Sequence, residues 1–212
     1  LSNPTVWSHQ TVTFNGSNVQ TGYVSFTATS GNRSFVNISS VQLNRTFILQ
    51  SNACNDGGTN IARCLVNARF INSTQIEFTR AVSNVIVDVK WFVVELANGS
   101  FVQSATINFT AAETQQNIAI SATNLTGSVA FASSQFLGTS TGITNFTSND
   151  VPGKSSFTFN LTNTTNLEIT RIVPDNSIAN VTFFVIQFNG STTPGAADAV
   201  PTMLIDEPTN TS

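Results

Sequence analysis

The sequence predicts an all-β protein built as two tandem sandwich-like repeats, and two observations carry that reading. Short runs rich in Val, Ile, Thr and Phe alternate apolar and polar residues, with Gly, Asn and Ser between them at hairpin spacing. No window shows a convincing 3.6-residue period. The chain also repeats itself. VQTGYVSFTA (19–28) returns as VQSATINFTA (102–111), SFVNISSVQ (34–42) is echoed by NIAISATN (117–124), QIEFTR (75–80) by NLEITR (166–171), and VKWFVVEL (89–96) by VTFFVIQF (181–188). The offset grows from 83 residues (19 to 102) to 92 (89 to 181), because the second copy carries a longer middle loop.

The elements follow in order. Residues 1–17 form an extended N-terminal strand, 18–97 a first β-sandwich repeat, 98–190 a second, and 191–212 a C-terminal tail or strand. About six short strands per copy suggest immunoglobulin-like sandwiches in series; one merged double sandwich satisfies the same pattern. Val24, Phe26 and Ala28 point inward on the first strand, as do Ile107, Phe109 and Ala111 on its counterpart. The phrase NGS recurs at 15–17, 98–100 and 189–191, where Asn-Gly favours a tight turn into the next strand. It leaves TVTF, before Asn15, in a last-strand position with no copy ahead of it. The last strand of each copy is apolar on both faces: Trp91 and Val93 against Phe92 and Val94, Phe183 and Val185 against Phe184 and Ile186. Such a strand must be covered twice, by the other repeat or by another subunit.

Composition narrows the function classes. Only 9% of residues are charged, against roughly 25% in ordinary soluble domains, and the net charge is −3. That removes the basic footprint of a nucleic-acid binder. In place of charge stand 24 Ser, 30 Thr and 25 Asn. Fourteen Asn-x-Ser/Thr acceptors occur, at Asn15, Asn32, Asn37, Asn44, Asn72, Asn98, Asn108, Asn124, Asn145, Asn160, Asn163, Asn180, Asn189 and Asn210, where composition alone gives about six. Many fall at turns or on outward strand faces, as N-glycosylation requires. Covalent N-glycans are therefore expected, and no other cofactor. Cys54 and Cys64 close a short Gly-rich loop, most simply as a disulfide formed in an oxidising compartment. No run of about twenty apolar residues could span a membrane. A first residue Leu1 suggests a processed, exported form lying outside the cell or on its surface after removal of a signal peptide.

Residues with chemistry are few. The single histidine, His9, lies in the extended N-terminal segment and reads as a surface or packing residue. Glu77 and Glu168 hold equivalent places in IEFTR and LEITR. They could in principle form a glycosidase pair, yet their retention beside Arg80 and Arg171 fits a repeated structural role. NDGGTN (55–60) offers one carboxylate, too few for a typical calcium loop. Asp88 and Lys90 share a strand face and suit an ion pair at an interface or plain solvation, or an amide cross-link if an Asn or Asp lies close; Asn180 replaces Asp88 in the second copy. No enzyme and no metal site is expected.

An exported, Lys-poor, sequon-dense β chain with spare strand material at both ends resembles the subunits of archaeal surface filaments of the thread and bundling-pilus kind. That resemblance implies an N-glycosylated subunit that donates its N-terminal strand to the sheet of an identical neighbour, supporting adhesion or biofilm. Residues 5–14 would then be the donated strand, with Val6, Val12 and Phe14 as anchors and Trp7 on the other face. The absence of a long apolar N-terminal helix argues against a type IV pilin. The alternative is a non-polymerising extracellular binding module, an adhesin, carbohydrate-binding or viral fibre domain, meeting surface or glycan targets.

Overall fold

A computed structural model describes residues 16–55, 64–81, 83, 85–110, 112–137, 156–171 and 178–188, with the side chains of 134–137 and 178 left aside. The expected donor strand with Val6, Trp7, His9, Val12 and Phe14 lies outside the described residues. So do Asn15, Asn145, Asn189 and Asn210, residues 56–60 of the NDGGTN loop, and the C-terminal tail.

The described chain is all-β. The strands are β1 (Asn18–Phe26), β2 (Arg33–Asn37), β3 (Thr46–Cys54), β4 (Val66–Asn72), β5 (Gln75–Arg80), β6 (Val87–Glu95), β7 (Phe101–Phe109), β8 (Gln115–Ala119), β9 (Ser128–Leu137), β10 (Thr158–Asn163), β11 (Asn166–Thr170) and β12 (Ile178–Gln187). Two short 3-10 turns, Leu43–Arg45 and Leu125–Gly127, precede β3 and β9. Among the described residues no helix is long and apolar enough to cross a membrane.

The strands form four three-stranded antiparallel sheets, ordered β1-β6-β3, β2-β5-β4, β7-β12-β9 and β10-β11-β8. The second six strands thus repeat the topology of the first six, strand for strand, as the sequence repeat requires. Each set has one strand fewer than a constant-type immunoglobulin domain among the described residues, so we describe the sets as β-sandwich units. The doubly apolar strands β6 and β12 are the central strands of their sheets, where a strand loses both edges to neighbours.

Alternation sets the inward faces. Val24 and Phe26 of β1, Ile48 of β3, Ala68 of β4, Ile76 and Phe78 of β5, and Val87, Val89 and Val93 of β6 are buried in the first core. Ala28, expected inward, is exposed, because β1 ends at Phe26 and the chain turns over Thr27–Ser30. Phe109, Leu167, Ile169, Val181, Phe183 and Val185 form the second core. The first core does not stop at its own unit: it takes in Val102, Phe184 and Ile186 of the second.

Glycine matters at two kinds of place. Gly16 and Gly99, each in an NGS phrase, have φ of 70° and 95°, a left-handed turn that an L side chain resists. Gly99 turns the chain between β6 and β7. Gly22 of β1 lies under the Trp91 indole, where an added Cβ would sit 2.3 Å from Cζ2 and 2.7 Å from Cε2. Since Trp91 is itself buried, Gly22→Ala is expected to overpack the core and cost about 1–3 kcal/mol, read as a lower urea midpoint by circular dichroism. An unchanged midpoint would mean that the indole rotates freely out of the way.

Cys54 and Cys64 form the expected disulfide, with Cα atoms 5.4 Å apart and ten residues of separation. Closing so short a loop restricts the unfolded chain by about 2–3 kcal/mol. The Cys54→Ser/Cys64→Ser pair should lose that amount in a denaturant titration. Identical midpoints with and without reductant would remove this role.

Candidate functional site

Among the described residues, the two units meet along a densely packed surface. β4 pairs with β5 on one side only, and its other side lies against β9. There Ser133 Oγ accepts from the Ala68 amide (3.0 Å) and can donate to the Ala68 carbonyl (3.1 Å) or to Asn67 Oδ1 (2.9 Å). Beside this seam four aromatic rings lock together. Phe131 of β9 stacks on Phe184 of β12 at 5.5 Å, and Phe47 of β3 meets Phe131 edge-on at 5.6 Å. Phe70 of β4 meets Phe184 edge-on at 6.4 Å. The second face of β12 is thus covered by the first unit, which answers half of the question its sequence raised.

Away from this seam the units part, leaving a cleft of about 560 Å³. Asn32, Arg33, Asn67, Arg69, Glu77 and Thr79 line one wall, and Thr106, Asn108 and Asn180 the other. Glu77 is completely buried at its base. Both carboxylate oxygens are taken: Arg33 Nε donates to Oε1 (2.5 Å) and Arg69 Nε to Oε2 (2.6 Å). A carboxylate so clamped is a structural anion, positioned by period two: residues 33, 69 and 77 all point out of the β2-β5-β4 sheet. Glu168 does not line this cleft, so the two glutamates do not form a pair across it.

Arg80 and Arg171, three residues beyond those glutamates, project from the opposite sheet face. Arg80 is 1% exposed and donates to the carbonyls of Val85 (2.7 Å), Thr27 (2.8 Å) and Ser30 (3.0 Å), with its guanidinium 4.9 Å over the Phe26 ring. Arg171, equally buried, donates to Glu113 O (2.7 Å) and Thr110 O (2.6 Å) and covers Phe109. In each unit this arginine pins the turn between the first two strands. The repeated acid and base therefore have separate structural tasks rather than one shared one.

Asp88 and Lys90 share the outward face of β6 but do not pair. Lys90 Nζ sits 5.6 Å over the Phe92 ring, and among the described residues no carboxylate lies within ion-pair distance of it. A cation over an aromatic face keeps its hydration on the other side, which an exposed Asp–Lys pair would forfeit for little gain. No group of His, Cys, Asp and Glu that could hold a metal occurs among the described residues.

Ten sequons are described. Asn32, Asn37, Asn44, Asn72, Asn98, Asn108, Asn124, Asn160 and Asn163 are exposed. In three of them the sequon threonine folds back: Oδ1 of Asn72, Asn124 and Asn163 accepts from the backbone N–H and the hydroxyl of Thr74, Thr126 and Thr165. This Asx-turn leaves the amide nitrogen facing outward. Asn180 differs. It is half-buried in the cleft opposite Asn108, its Oδ1 has no partner among the described residues, and the hydroxyl of Thr182 is buried against Thr106 (2.8 Å). Glycopeptide mapping is expected to find Asn180 the least occupied of the ten; full occupancy there would mean that modification precedes folding.

Comparison with protein-family models, curated proteins and solved structures found no match.

Proposed function

We propose that this chain is a structural subunit of an exported, N-glycosylated cell-surface filament. The observation that supports it best is the serial packing of two equivalent units through unlike surfaces. The second unit presents the outer face of its β7-β12-β9 sheet, while the first presents the β4 edge and the neighbouring β2-β5-β4 face. A contact between unlike surfaces does not close on itself and can be repeated along a line. Exposed acceptors at turns and outward faces fit a polymer shielded by glycans rather than by charge, and the disulfide fits assembly outside the cytoplasm. In this reading residues 5–14 add a strand to the neighbouring subunit, the subunits are identical, and the polymer serves adhesion or biofilm.

Electron microscopy of the native material should show long fibres of uniform width. Removing residues 5–14 should leave folded, dispersed subunits. Fibres from the shortened chain would overturn strand donation, and dispersed native particles would overturn the filament.

The cleft favours a second reading, an extracellular binding module. A concave polar site of about 560 Å³, lined by Arg33 and Arg69 and by four asparagines, suits a hydrated ligand such as a glycan. That reading expects a monomer or small closed oligomer, and titration with surface glycans decides it.

A further inference from the structure

The outward face of the β1-β6-β3 sheet holds the same positions that its counterpart uses inside the chain, yet part of it stands open. Register makes the equivalence definite. In the second unit, Phe184 faces Ser104 on β7 and Phe131 on β9, while Ile186 faces Val102; these apolar residues bury the junction with the first unit. In the first unit, Phe92 faces Thr21 and Leu49, and Val94 faces Val19. Val19 is 48% exposed, Leu49 36% and Tyr23 62%, whereas Val102 is 3% exposed and Phe184 not at all. Phe47 and Val94, at one end of this face, are already buried, Phe47 against Phe131 of the second unit, while the Val19, Tyr23 and Leu49 positions are built and left uncovered.

The opposite surface is also built twice and used once. The second unit's own outer end carries Val129 where the first carries buried Phe47, and Val129 is 44% exposed. Register likewise places Leu161 where the first unit carries Phe70, although Leu161 packs on the second unit's own core.

Charge indicates what belongs between them. Glu77 is neutralised within its own unit by Arg33 and Arg69, and the second-unit residues that line the cleft with it, Thr106, Asn108 and Asn180, are neutral. At the equivalent of Glu77, Glu168 has lost both arginines: Gln115 stands for Arg33 and Asn160 for Arg69. Only Gln115 Nε2 donates to it, at 2.5 Å, among the described contacts. Thr182, meanwhile, has become Lys90 in the first unit, with no carboxylate partner in its own chain's described residues. Asn180 has likewise become Asp88, two residues from Lys90, so the facing surface carries one cation and one anion, and Lys90 is the group able to meet Glu168.

We infer that the β1-β6-β3 face of one copy docks on the β9 and β10-β11-β8 end of a second copy, repeating the junction found within the chain and setting Lys90 against Glu168. This rests on the filament reading and names its contact. The occupant is a second copy because the complementary surface is the unused end of this same chain. Each junction leaves one such face and one such end free, so the series stays open.

Two charge reversals test it, using the full glycosylated chain in sedimentation velocity over a concentration series. Lys90→Glu sets two carboxylates together, and Glu168→Lys two ammonium groups. Each variant alone should self-associate at least about tenfold more weakly than the unaltered chain. Mixed in equal amounts they should associate like it, since every junction in an alternating series again joins opposite charges. Restoration in the mixture also shows that both variants are folded. Leu49→Glu, at an exposed position, should weaken association without rescue by either. Variants that associate alone as the unaltered chain does, or a mixture as inert as its components, would overturn this face. Microscopy of the unaltered chain separates the two readings: fibres alongside insensitive variants leave the filament and remove this contact, while an unaltered chain that forms neither fibres nor oligomers removes both.

Discussion

Arg80→Ala is expected to destabilise the protein by about 3–5 kcal/mol, through loss of charge-assisted hydrogen bonds to three carbonyls together with a buried cation–aromatic contact. The reason lies in the accounting of backbone groups. The guanidinium satisfies the carbonyls of Val85, Thr27 and Ser30, which belong to two separate turns. Alanine would take the guanidinium donors from all three carbonyls, of which Thr27 O keeps its bond from the Ser30 N–H, and would remove the cation from the Phe26 face. Burial pulls the Arg80 guanidinium below its ordinary pKa, but the converging carbonyls are what the charged form needs. At roughly 2–4 °C per kcal/mol for a chain of this size, the loss corresponds to a drop in Tm of about 6–20 °C. Arg80→Lys should recover less than half of it, since one ammonium cannot span three carbonyls in a fixed fork. A drop below about 2 °C for Arg80→Ala would show that water replaces the guanidinium in the turn.

That arginine also marks how far sequence reasoning reaches. The duplication was legible in full: IEFTR and LEITR lie on equivalent strands β5 and β11, and the NGS phrase is the turn into a first strand, with positive φ at Gly16 and Gly99. Period two also placed Asn108 and Asn160 outward, and the spacing of Cys54 and Cys64 gave the disulfide. What the sequence hid was partnership across long separations. Glu77 and Arg80 look like neighbours, but alternation sends them to opposite faces, and the arginines that clamp Glu77 come from positions 33 and 69. The cleft was hidden for the same reason, since Asn32, Glu77 and Asn180 meet only once the units pack. The period-two pattern did carry one unread signal, the outward set of Asn67, Arg69, Glu77 and Thr79 on adjacent strands. Polar outward residues in that number looked like an ordinary solvated face.

Phe184→Ala is the substitution expected to uncouple the two units. The ring is fully buried, stacked on Phe131 and touched edge-on by Phe70, so it joins the central strand of the second unit to β4 of the first. Truncating such a ring costs about 3–5 kcal/mol in lost transfer energy and cavity, and here the cavity opens at the junction rather than inside one sandwich. The second unit keeps its own core of Phe109, Leu167, Ile169, Val181 and Val185. Unfolding that begins as one transition is therefore expected to split into two, with the second unit's core strands retaining slow amide exchange after the first unit has opened. Phe92→Ala makes the comparison sharp. It removes the same ring from the same register position in β6, but from a half-open face, so it should cost about 1 kcal/mol and leave the unfolding of dilute protein as a single transition. Equal losses from the two variants would mean that both faces are equally covered in the dispersed chain, and that the second unit's grip on the first has no counterpart left over for a neighbour.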